Sequence, residues 1–293
     1  MLRRNKHVTC AGAATRRGAP RTPKISVVIP VYNALPDLKA CLASLELTAR
    51  GLYELILVDN ASGGETRRFL DRLKGPRVLR NPSNLGFSKA VNRGLKAARG
   101  EYIAVVNSDV AFFEGGLQGL AACLDADTGA GACGPLTNRT VGVQRVVLDP
   151  KVEKEASSLR FFAQAMRLKF PGEAFEVHRL VGFCFMLRRS AYESIGLLDE
   201  RFGTGCFEDL DYSLRLRQAG WKLKAVKDVF VWHHNHASFG GHEHFHSWAV
   251  RNREVFVDKW CRKALEFLDE LDPYLETDGE RLKGTRGPKK RKG

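Results

Sequence analysis

The N-terminal half of the chain alternates short apolar runs with helix-like segments, and a cluster of polar residues follows each apolar run. The runs are rich in β-branched or other apolar residues, as in Ile25–Val31, 53–58 and Tyr102–Val106. Strands that alternate with helices at this spacing predict a mostly parallel, doubly wound α/β sheet flanked by helices. Ligands bind such sheets beyond the carboxyl ends of the strands, so the polar clusters predict a cleft at that edge.

The second half of the chain is less regular. Residues 181–187 read as a buried strand, 223–226 and 229–232 as two further strands, and 248–271 as a helical region. Residues 138–178 mix charged helical pieces with Pro and Gly and give no clear sheet signal. We therefore predict a single domain with the following parts: basic tail 1–24; first half of the domain about 25–137; second half about 138–240; C-terminal helices about 245–272; basic tail 273–293.

The net charge of +14 is concentrated at the two ends of the chain. Residues 1–24 and 281–293 each hold seven basic residues and no acidic one, whereas residues 25–280 hold 33 of each sign. Such tails are typical of solubilising, disordered segments, and they also suit an anionic surface of lipid headgroups. The neutral central region shows no basic-aromatic groove, so nucleic acid is not an expected partner.

Cysteine content and hydropathy exclude several classes of protein. The seven cysteines are widely spaced and form no CxxC pair, which disfavours a disulfide framework or a zinc site. No run approaches the roughly 18 apolar residues that a spanning helix needs. We expect a cytoplasmic protein, with the basic tails as candidate contacts for the inner face of a membrane.

Three strand ends carry residues suited to a nucleotide and a metal ion. Asp59 can cap the following helix or accept hydrogen bonds from a base or ribose. Asn107-Ser108-Asp109 ends an apolar strand, and a carboxylate there suits Mg²⁺ or Mn²⁺, which prefer oxygen ligands. His233 ends another strand, and one imidazole nitrogen is an acceptable ligand for Mn²⁺.

Three carboxylates stand within four residues in the stretch Phe207-Glu208-Asp209-Leu210-Asp211. Acidic residues in a first helical turn are favoured by the helix dipole, so an N-terminal cap is the simpler interpretation. The alternative is a general base with neighbouring groups that orient it.

These motifs together resemble family 2 glycosyltransferases. The resemblance is carried by 27–33 (VVIPVYN), 57–62 (LVDNAS), 84–88 (NLGFS), 107–110 (NSDV) and 207–211 (FEDLD), in family order, and it covers about residues 25–238. It implies the GT-A (Rossmann-like) fold, an inverting reaction and a nucleotide-sugar donor. Residues 25–272 would form the catalytic domain, with the nucleotide-binding half at about 25–137 and the acceptor-binding half at about 138–240. The motif style is closest to rhamnosyltransferase-like members.

The resemblance also implies roles for individual residues. Asp209 would be the general base, and Glu208 and Asp211 would position it or bind acceptor hydroxyls. Asp109 and His233 would hold Mn²⁺ or Mg²⁺, with His234 as the alternative to His233. Asn107 stands where the family's metal motif has its first Asp. The remaining positions would line the donor pocket: Pro30, Tyr32, Asn33, Asp59, Asn60, Ser62, Asn84, Gly86, Phe87, Asn107 and Ser108.

The expected reaction moves a sugar from a nucleotide-diphosphate sugar to a hydroxyl of a glycan or lipid-linked saccharide, in polysaccharide biosynthesis of the cell envelope. Three alternatives stay open at this point. A sugar nucleotidyltransferase also uses strand-end carboxylates, but it usually has a Gly-rich basic loop after its first strand, and residues 32–36 lack one. The others are a glycosyltransferase with a protein or nucleic-acid acceptor and a non-catalytic nucleotide-sugar-binding homologue.

Overall fold

The computed structural model of the protein describes residues 24–234, 242–264 and 266. Within these residues, nine strands form one sheet. The strands are Ile25–Val31 (β1), Tyr53–Asp59 (β2), Arg77–Arg80 (β3), Tyr102–Val106 (β4), Val110–Phe112 (β5), Ala130–Thr137 (β6), Ala174–Val177 (β7), Cys184–Arg188 (β8) and Lys222–His233 (β9). The helices are Leu35–Ala49 (α1), Gly64–Arg72 (α2), Phe87–Ala97 (α3), Gly116–Ala126 (α4), Pro150–Lys154 (α5), Ala156–Lys169 (α6), Arg189–Ile195 (α7), Glu208–Gln218 (α8) and His242–Trp260 (α9).

The strand order is β3-β2-β1-β4-β8-β6-β9-β5, and β7 also pairs with β9. The block β3-β2-β1-β4 is parallel throughout, as the strand–helix alternation predicts. Beyond it the sheet is mixed, because β8 runs antiparallel to both β4 and β6, while β6 and β9 are parallel. β5 and β7 are antiparallel to β9. The α/β sheet flanked by helices is confirmed, with its parallel character confined to the first half and the β6–β9 pair.

Two apolar layers cover the faces of the sheet. On one face, α1, α2 and α4 bury Leu38, Leu70 and Leu120 against β1, β2 and β6. On the other face, α3, α7 and α8 pack over β1, β2, β4 and β8. Both faces are therefore shielded from water, which explains why the central strands are apolar throughout and do not alternate.

The two strands predicted at 223–226 and 229–232 are one strand, β9. Its register against β6 shifts between Pro135 and Leu136, which face Val226 and Phe230 respectively. The extra residues 227–229 form the irregularity, and the Lys227 amide donates to the Glu173 carbonyl 2.8 Å away. A bulge of this kind explains the polar interruption in the apolar pattern.

Some other strands and helices have bounds that differ from those predicted from the sequence. The strand predicted at 181–187 begins only at Cys184, and residues 181–183 form a loop beside the site described below. The unassigned region 138–178 contains α5, α6 and β7. Of the helix predicted at 248–271, residues 248–260 belong to α9, which ends at Trp260 before Cys261 adopts a left-handed backbone (φ 66°); residues 262–264 are helical again. Residues 267–272 lie outside the described part. No helix among the described residues combines the length and apolarity needed to cross a membrane.

Candidate active site

The loops after β1 and β2 are joined by hydrogen bonds at the edge of the sheet. Val31 pairs with Asp59 in the parallel register, so the residues that follow each strand are neighbours. The Asn33 amide donates to Ser62 Oγ at 2.9 Å, and the Gly63 amide donates to Asn33 Oδ1 at 3.0 Å. Pro30, paired with Val58, and half-buried Tyr32 complete this side of the edge.

Asp59 is buried and held by two donors. Its Oδ1 accepts the Ser62 amide at 2.8 Å, and its Oδ2 accepts Arg80 Nη1 at 2.8 Å. Arg80 also pairs with Asp71 on α2. The Asp59 side chain is only 2% exposed, and its orientation is therefore set before any ligand binds.

Asn60 is the centre of a buried amide network. Its Nδ2 donates to Asn84 Oδ1 at 2.7 Å and to the Gly86 carbonyl at 3.2 Å. Its Oδ1 accepts from Asn81 Nδ2 at 2.9 Å and from the Leu85 amide at 3.0 Å. This network orders the loop that leads to half-buried Phe87 at the start of α3. Asn81, buried after β3, is a member that the sequence reasoning missed.

Gly86 brings this loop against the turn that precedes the acidic cluster. Its φ is +83°, and an added Cβ would lie 2.4 Å from the Gly203 carbonyl oxygen. Both the left-handed backbone and the close approach exclude a larger residue. The Ser88 amide, which donates to the same carbonyl at 3.4 Å, adds a second link between the two loops.

Asp109 and His233 face each other because β5 pairs with the end of β9, where Val110 is opposite His233. His233 Nε2 lies 3.4 Å from Asp109 Oδ1, and both residues are buried. His233 Nδ1 lies 2.7 Å from the Arg139 carbonyl oxygen. A carbonyl can only accept, so Nδ1 is the donor in this contact and Nε2 is the ring nitrogen that faces the carboxylate.

An imidazole nitrogen opposite a carboxylate oxygen is a pair of ligand types that Mn²⁺ accepts. Among the described residues, no group of three or more His, Cys, Asp and Glu side chains is placed to hold a metal ion. Asp109 and His233 would thus supply one oxygen and one nitrogen ligand, leaving positions for diphosphate oxygens. Asn107, half-buried, and buried Ser108 directly precede this pair. His234 is placed differently, since its Nδ1 contacts Asp37 of α1 at 2.5 Å.

Asp209 lies at the start of α8, after two residues with left-handed backbone, Cys206 (φ 75°) and Phe207 (φ 70°). Its Oδ2 accepts the Gly182 amide at 2.9 Å, and its Oδ1 accepts the Leu210 amide at 2.8 Å. The side chain is half-buried, so a reactant can reach it. Non-glycine residues with positive φ are often found at sites whose geometry the surrounding structure enforces.

The loop residues Gly182 and Phe183 connect the acidic cluster to the strand-end pair. While Gly182 donates to Asp209, the carbonyl of Phe183 accepts the Asn107 amide at 2.9 Å. The Phe183 ring also stacks on His233, with centroids 5.3 Å apart. Two consecutive residues therefore contact the two groups, which places Asp209 close to the Asp109–His233 pair.

The other two carboxylates of the cluster are buried and differ in their partners. Asp211 is fully buried and accepts from Arg215 Nε at 3.0 Å, Lys259 Nζ at 2.6 Å and Trp260 Nε1 at 2.8 Å. Glu208 is 6% exposed, and its Oε2 has no hydrogen-bond partner. Burial, together with the negative charges of Asp209 and Asp211, raises the pKa of Glu208 to about 8.

Helix α9 holds the turn from which the acidic cluster begins. Asn252 is 1% exposed, and its Nδ2 lies 2.6 Å from the Phe202 and Gly205 carbonyls and 3.0 Å from that of Cys206. Lys259 bridges Asp211 to Asp199, and Arg201 and Lys259 hold the pKa of Asp199 well below its usual range. Sequence reasoning missed these residues, since a lone Asn in an amphipathic helix carries no recognisable motif.

The chain is similar to proteins of known family. A model of glycosyl transferase family 2 matches residues 26–196. An N-acetylglucosaminyl-diphospho-decaprenol L-rhamnosyltransferase of Mycobacterium tuberculosis is 30% identical over 248 residues, which are 75% of this chain and 78% of that protein. The uncharacterised protein y4gI of Sinorhizobium fredii is 27% identical over 85% of this chain. This chain spans only 28% of the length of y4gI.

Solved structures share the fold at low sequence identity. GalNAc-T7 with UDP, GalNAc and Mn²⁺ has a TM-score of 0.64 and 19% identity, covering 84% of this chain and 50% of that one. The mannosyltransferase PcManGT of Pyrobaculum calidifontis, in complex with GDP-Man and Mn²⁺, has a TM-score of 0.58 and 18% identity, covering 91% and 76%. With a family model over more than half of its length and neighbours of this architecture, the chain belongs to glycosyl transferase family 2 and has the GT-A fold.

Proposed function

We propose that this chain transfers a sugar, with inversion at the anomeric carbon, from a nucleotide-diphosphate sugar to a hydroxyl of a glycan or lipid-linked saccharide. The observation that carries the proposal is the contact of Gly182 with Asp209 beside the contact of Phe183 with Asn107 and His233. These contacts link a half-buried carboxylate to a strand-end Asp–His pair, which supports a shared reaction site. A base facing the site of a departing diphosphate is what direct displacement requires.

On the donor side, the buried carboxylate of Asp59 would accept a hydrogen bond from the nucleoside. The Asn33–Ser62 link and the Asn60 network would hold the surrounding loops in place, so that little order is lost when the donor binds. Pro30, Tyr32, Asn84, Gly86, Phe87 and Ser108 would complete the pocket. Asp109 and His233 would hold Mn²⁺ or Mg²⁺, and a bound divalent ion offsets the negative charge that develops on the leaving diphosphate.

On the acceptor side, Asp209 would remove the proton from the acceptor hydroxyl as that oxygen bonds to the anomeric carbon. The bond from the anomeric carbon to the diphosphate oxygen breaks in the same displacement, and the nucleoside diphosphate leaves with its electron pair. The Gly182 and Leu210 amides orient Asp209. Asp211, fixed by three donors, would position the start of α8 and not bind the acceptor itself. Glu208 would keep a proton near neutral pH and add no second negative charge beside the base.

The name of one relative supports a lipid-linked saccharide as the acceptor. The M. tuberculosis relative is named for a decaprenol-linked acceptor and an L-rhamnosyl product. Because this rhamnosyltransferase is 30% identical over three quarters of this chain, nucleotide-diphosphate deoxysugars are the first donors to test.

The test is a screen of nucleotide-diphosphate sugars for donor hydrolysis and for binding by calorimetry, with Mn²⁺, with Mg²⁺ and with EDTA. We expect one donor to be bound and slowly hydrolysed only when a divalent ion is present. Absence of binding to every donor under every metal condition would contradict the proposal.

The two adjacent histidines provide a matched pair for the metal site. His233→Gln should raise the Mn²⁺ concentration for half-maximal donor binding by about tenfold or more, because it removes one ligand of the ion. His234→Gln should leave it unchanged, because His234 contacts Asp37. Equal effects of the two substitutions would rule out His233 as the ligand.

A further inference from the structure

The outward face of α6 carries large apolar side chains that are exposed to solvent. Phe161 is 73% exposed and Leu168 is 76% exposed. Residues seven apart lie on the same side of a helix, so the two side chains form one stripe. Val147, in the loop before α5, is 84% exposed.

The inner face of the same helix accounts for its attachment to the sheet. Leu159 and Ala163 are buried against Phe230 of β9, and the Phe162 ring meets the Phe230 ring edge-on at 5.1 Å. Phe161 and Leu168 belong to none of these contacts. Between α5 and α6 lies an open groove of about 480 Å³, whose lining includes Val152, Phe161 and Phe162. The exposed stripe is therefore additional to what holds the helix in place.

Basic side chains flank this stripe. Arg160 and Arg167 each precede one of the two exposed apolar residues, and Lys151, Lys154 and Lys169 are also exposed. Residues 145–169 contain six basic and three acidic residues. A helix face that combines apolar side chains with neighbouring Lys and Arg is typical of helices that lie in the interface of an anionic bilayer.

This exposed surface lies close to the candidate metal ligand His233. Glu153 of α5 lies 3.9 Å from the Arg139 guanidinium, and the Arg139 carbonyl accepts from His233. Arg139 Nη1 also donates to the His234 carbonyl at 3.4 Å. Helices α5 and α6 thus adjoin the end of β9 that carries the candidate metal ligand. A bilayer beneath them would bring a membrane-held saccharide to the cleft.

We propose that the α6 face, defined as Val147, Arg160, Phe161, Arg167 and Leu168, docks on the surface of an anionic bilayer. Its use in presenting a lipid-linked acceptor rests on the function proposed above, whereas the docking itself does not. The two basic tails would add electrostatic attraction, and the α6 face would supply the apolar side chains that enter the lipid.

The test is sedimentation of the full chain with vesicles of equal parts phosphatidylglycerol and phosphatidylcholine. The double variant Phe161→Ser/Leu168→Ser should lower vesicle partitioning by about tenfold or more, because two large apolar side chains no longer leave water. The matched control is Leu47→Ser, which removes a side chain that is 78% exposed on α1. The control should bind vesicles as the parent chain does.

The charge contribution is tested in the same assay. Arg160→Gln/Arg167→Gln should weaken binding several-fold at low salt, whereas Arg67→Gln/Arg68→Gln on α2 should not. All variants should retain donor hydrolysis, which separates a failure of docking from a failure of the proposed function. Unchanged vesicle binding by Phe161→Ser/Leu168→Ser would overturn the proposal. The proposal would also be overturned if this double variant lost self-association but kept vesicle binding, because the α6 face would then join two copies of the chain.

Discussion

The proposed donor and acceptor sides of the candidate site are built in different ways. On the donor side, Asp59, Asn60 and Ser62 are tied to residues between Asn33 and Gly86 by hydrogen bonds among loops that follow neighbouring parallel strands. On the acceptor side, the acidic cluster is held by Gly182 and by Asn252, Lys259 and Trp260 of α9. The family match ends at residue 196, before this cluster. The donor side is thus ordered by the sheet itself, and the acceptor side by a helix from outside the matched region.

The largest effect is expected from the residue that would take the proton. Asp209→Asn should lower turnover by about 10³-fold while donor affinity stays within twofold, because an amide cannot act as the base. Steady-state kinetics and calorimetry with the donor measure the two quantities. The control is Asp258→Asn, an exposed carboxylate on α9. Near-normal turnover in Asp209→Asn would exclude this residue as the base and remove the functional distinction between the two sides.

A substitution on the donor side should weaken donor binding more than it lowers turnover. Asp59→Asn should weaken donor binding about tenfold and lower the free energy of unfolding by about 1–3 kcal/mol, because Arg80 loses a buried partner. The matched control is Asp71→Asn, which also contacts Arg80 but is half exposed. Calorimetry and urea denaturation distinguish the two outcomes. If both variants bind donor equally well, Asp59 does not touch the nucleotide.

The support of the acceptor side by α9 can be broken directly. Asn252→Ala should lower kcat about fivefold to tenfold with an unchanged donor dissociation constant, because the Phe202–Cys206 turn loses its buried donor and Asp209 moves. Asn252→Gln tests partial rescue. A parallel loss of donor affinity and turnover would mean that α9 stabilises the whole domain and not the acceptor side alone.

The smallest expected effect concerns Glu208 and pH. A glutamic acid in the unfolded chain titrates near pH 4.3, whereas in the native protein burial raises the pKa of Glu208 to about 8. Between these values the native state keeps a proton that the unfolded state has lost, so the free energy of unfolding falls as pH rises. Glu208→Gln should remove this slope and stabilise the protein by about 1–2 kcal/mol at pH 8. Urea denaturation at pH 5 and pH 8 measures it, with Glu193→Gln, an exposed glutamate of α7, as the control. Identical slopes would contradict the assignment.

Much of the parallel half could be predicted from the chain alone. β1 and β4 have the bounds that their apolar runs indicate, because strands buried on both faces leave an uninterrupted apolar signal. The mixed half was harder to predict. β6 contains glycine and proline, β7 is only four residues long, and the bulge in β9 divides one strand into two apparent ones.

The residues of the candidate site also differ in whether the sequence alone could identify them. Most of the polar site residues that follow a strand could be identified, because neighbouring parallel strands end at one edge of the sheet. Asn81 and Asn252 could not be identified, since each is one amide without a motif. The roles of Asp209, Asp109 and His233 in the reaction remain predictions that the variants above test.

By itself, the sequence determined the α/β class, the family and the residues available at the strand ends, because periodicity and short motifs are local properties of the chain. Only the tertiary structure decided which of these groups meet. It paired Asp109 with His233 across 124 residues of sequence, turned His234 towards Asp37, and buried Asp211 among α9 donors while leaving Asp209 within reach of the cleft. Such choices depend on strand order and helix packing between distant segments, and no local pattern in the chain records them.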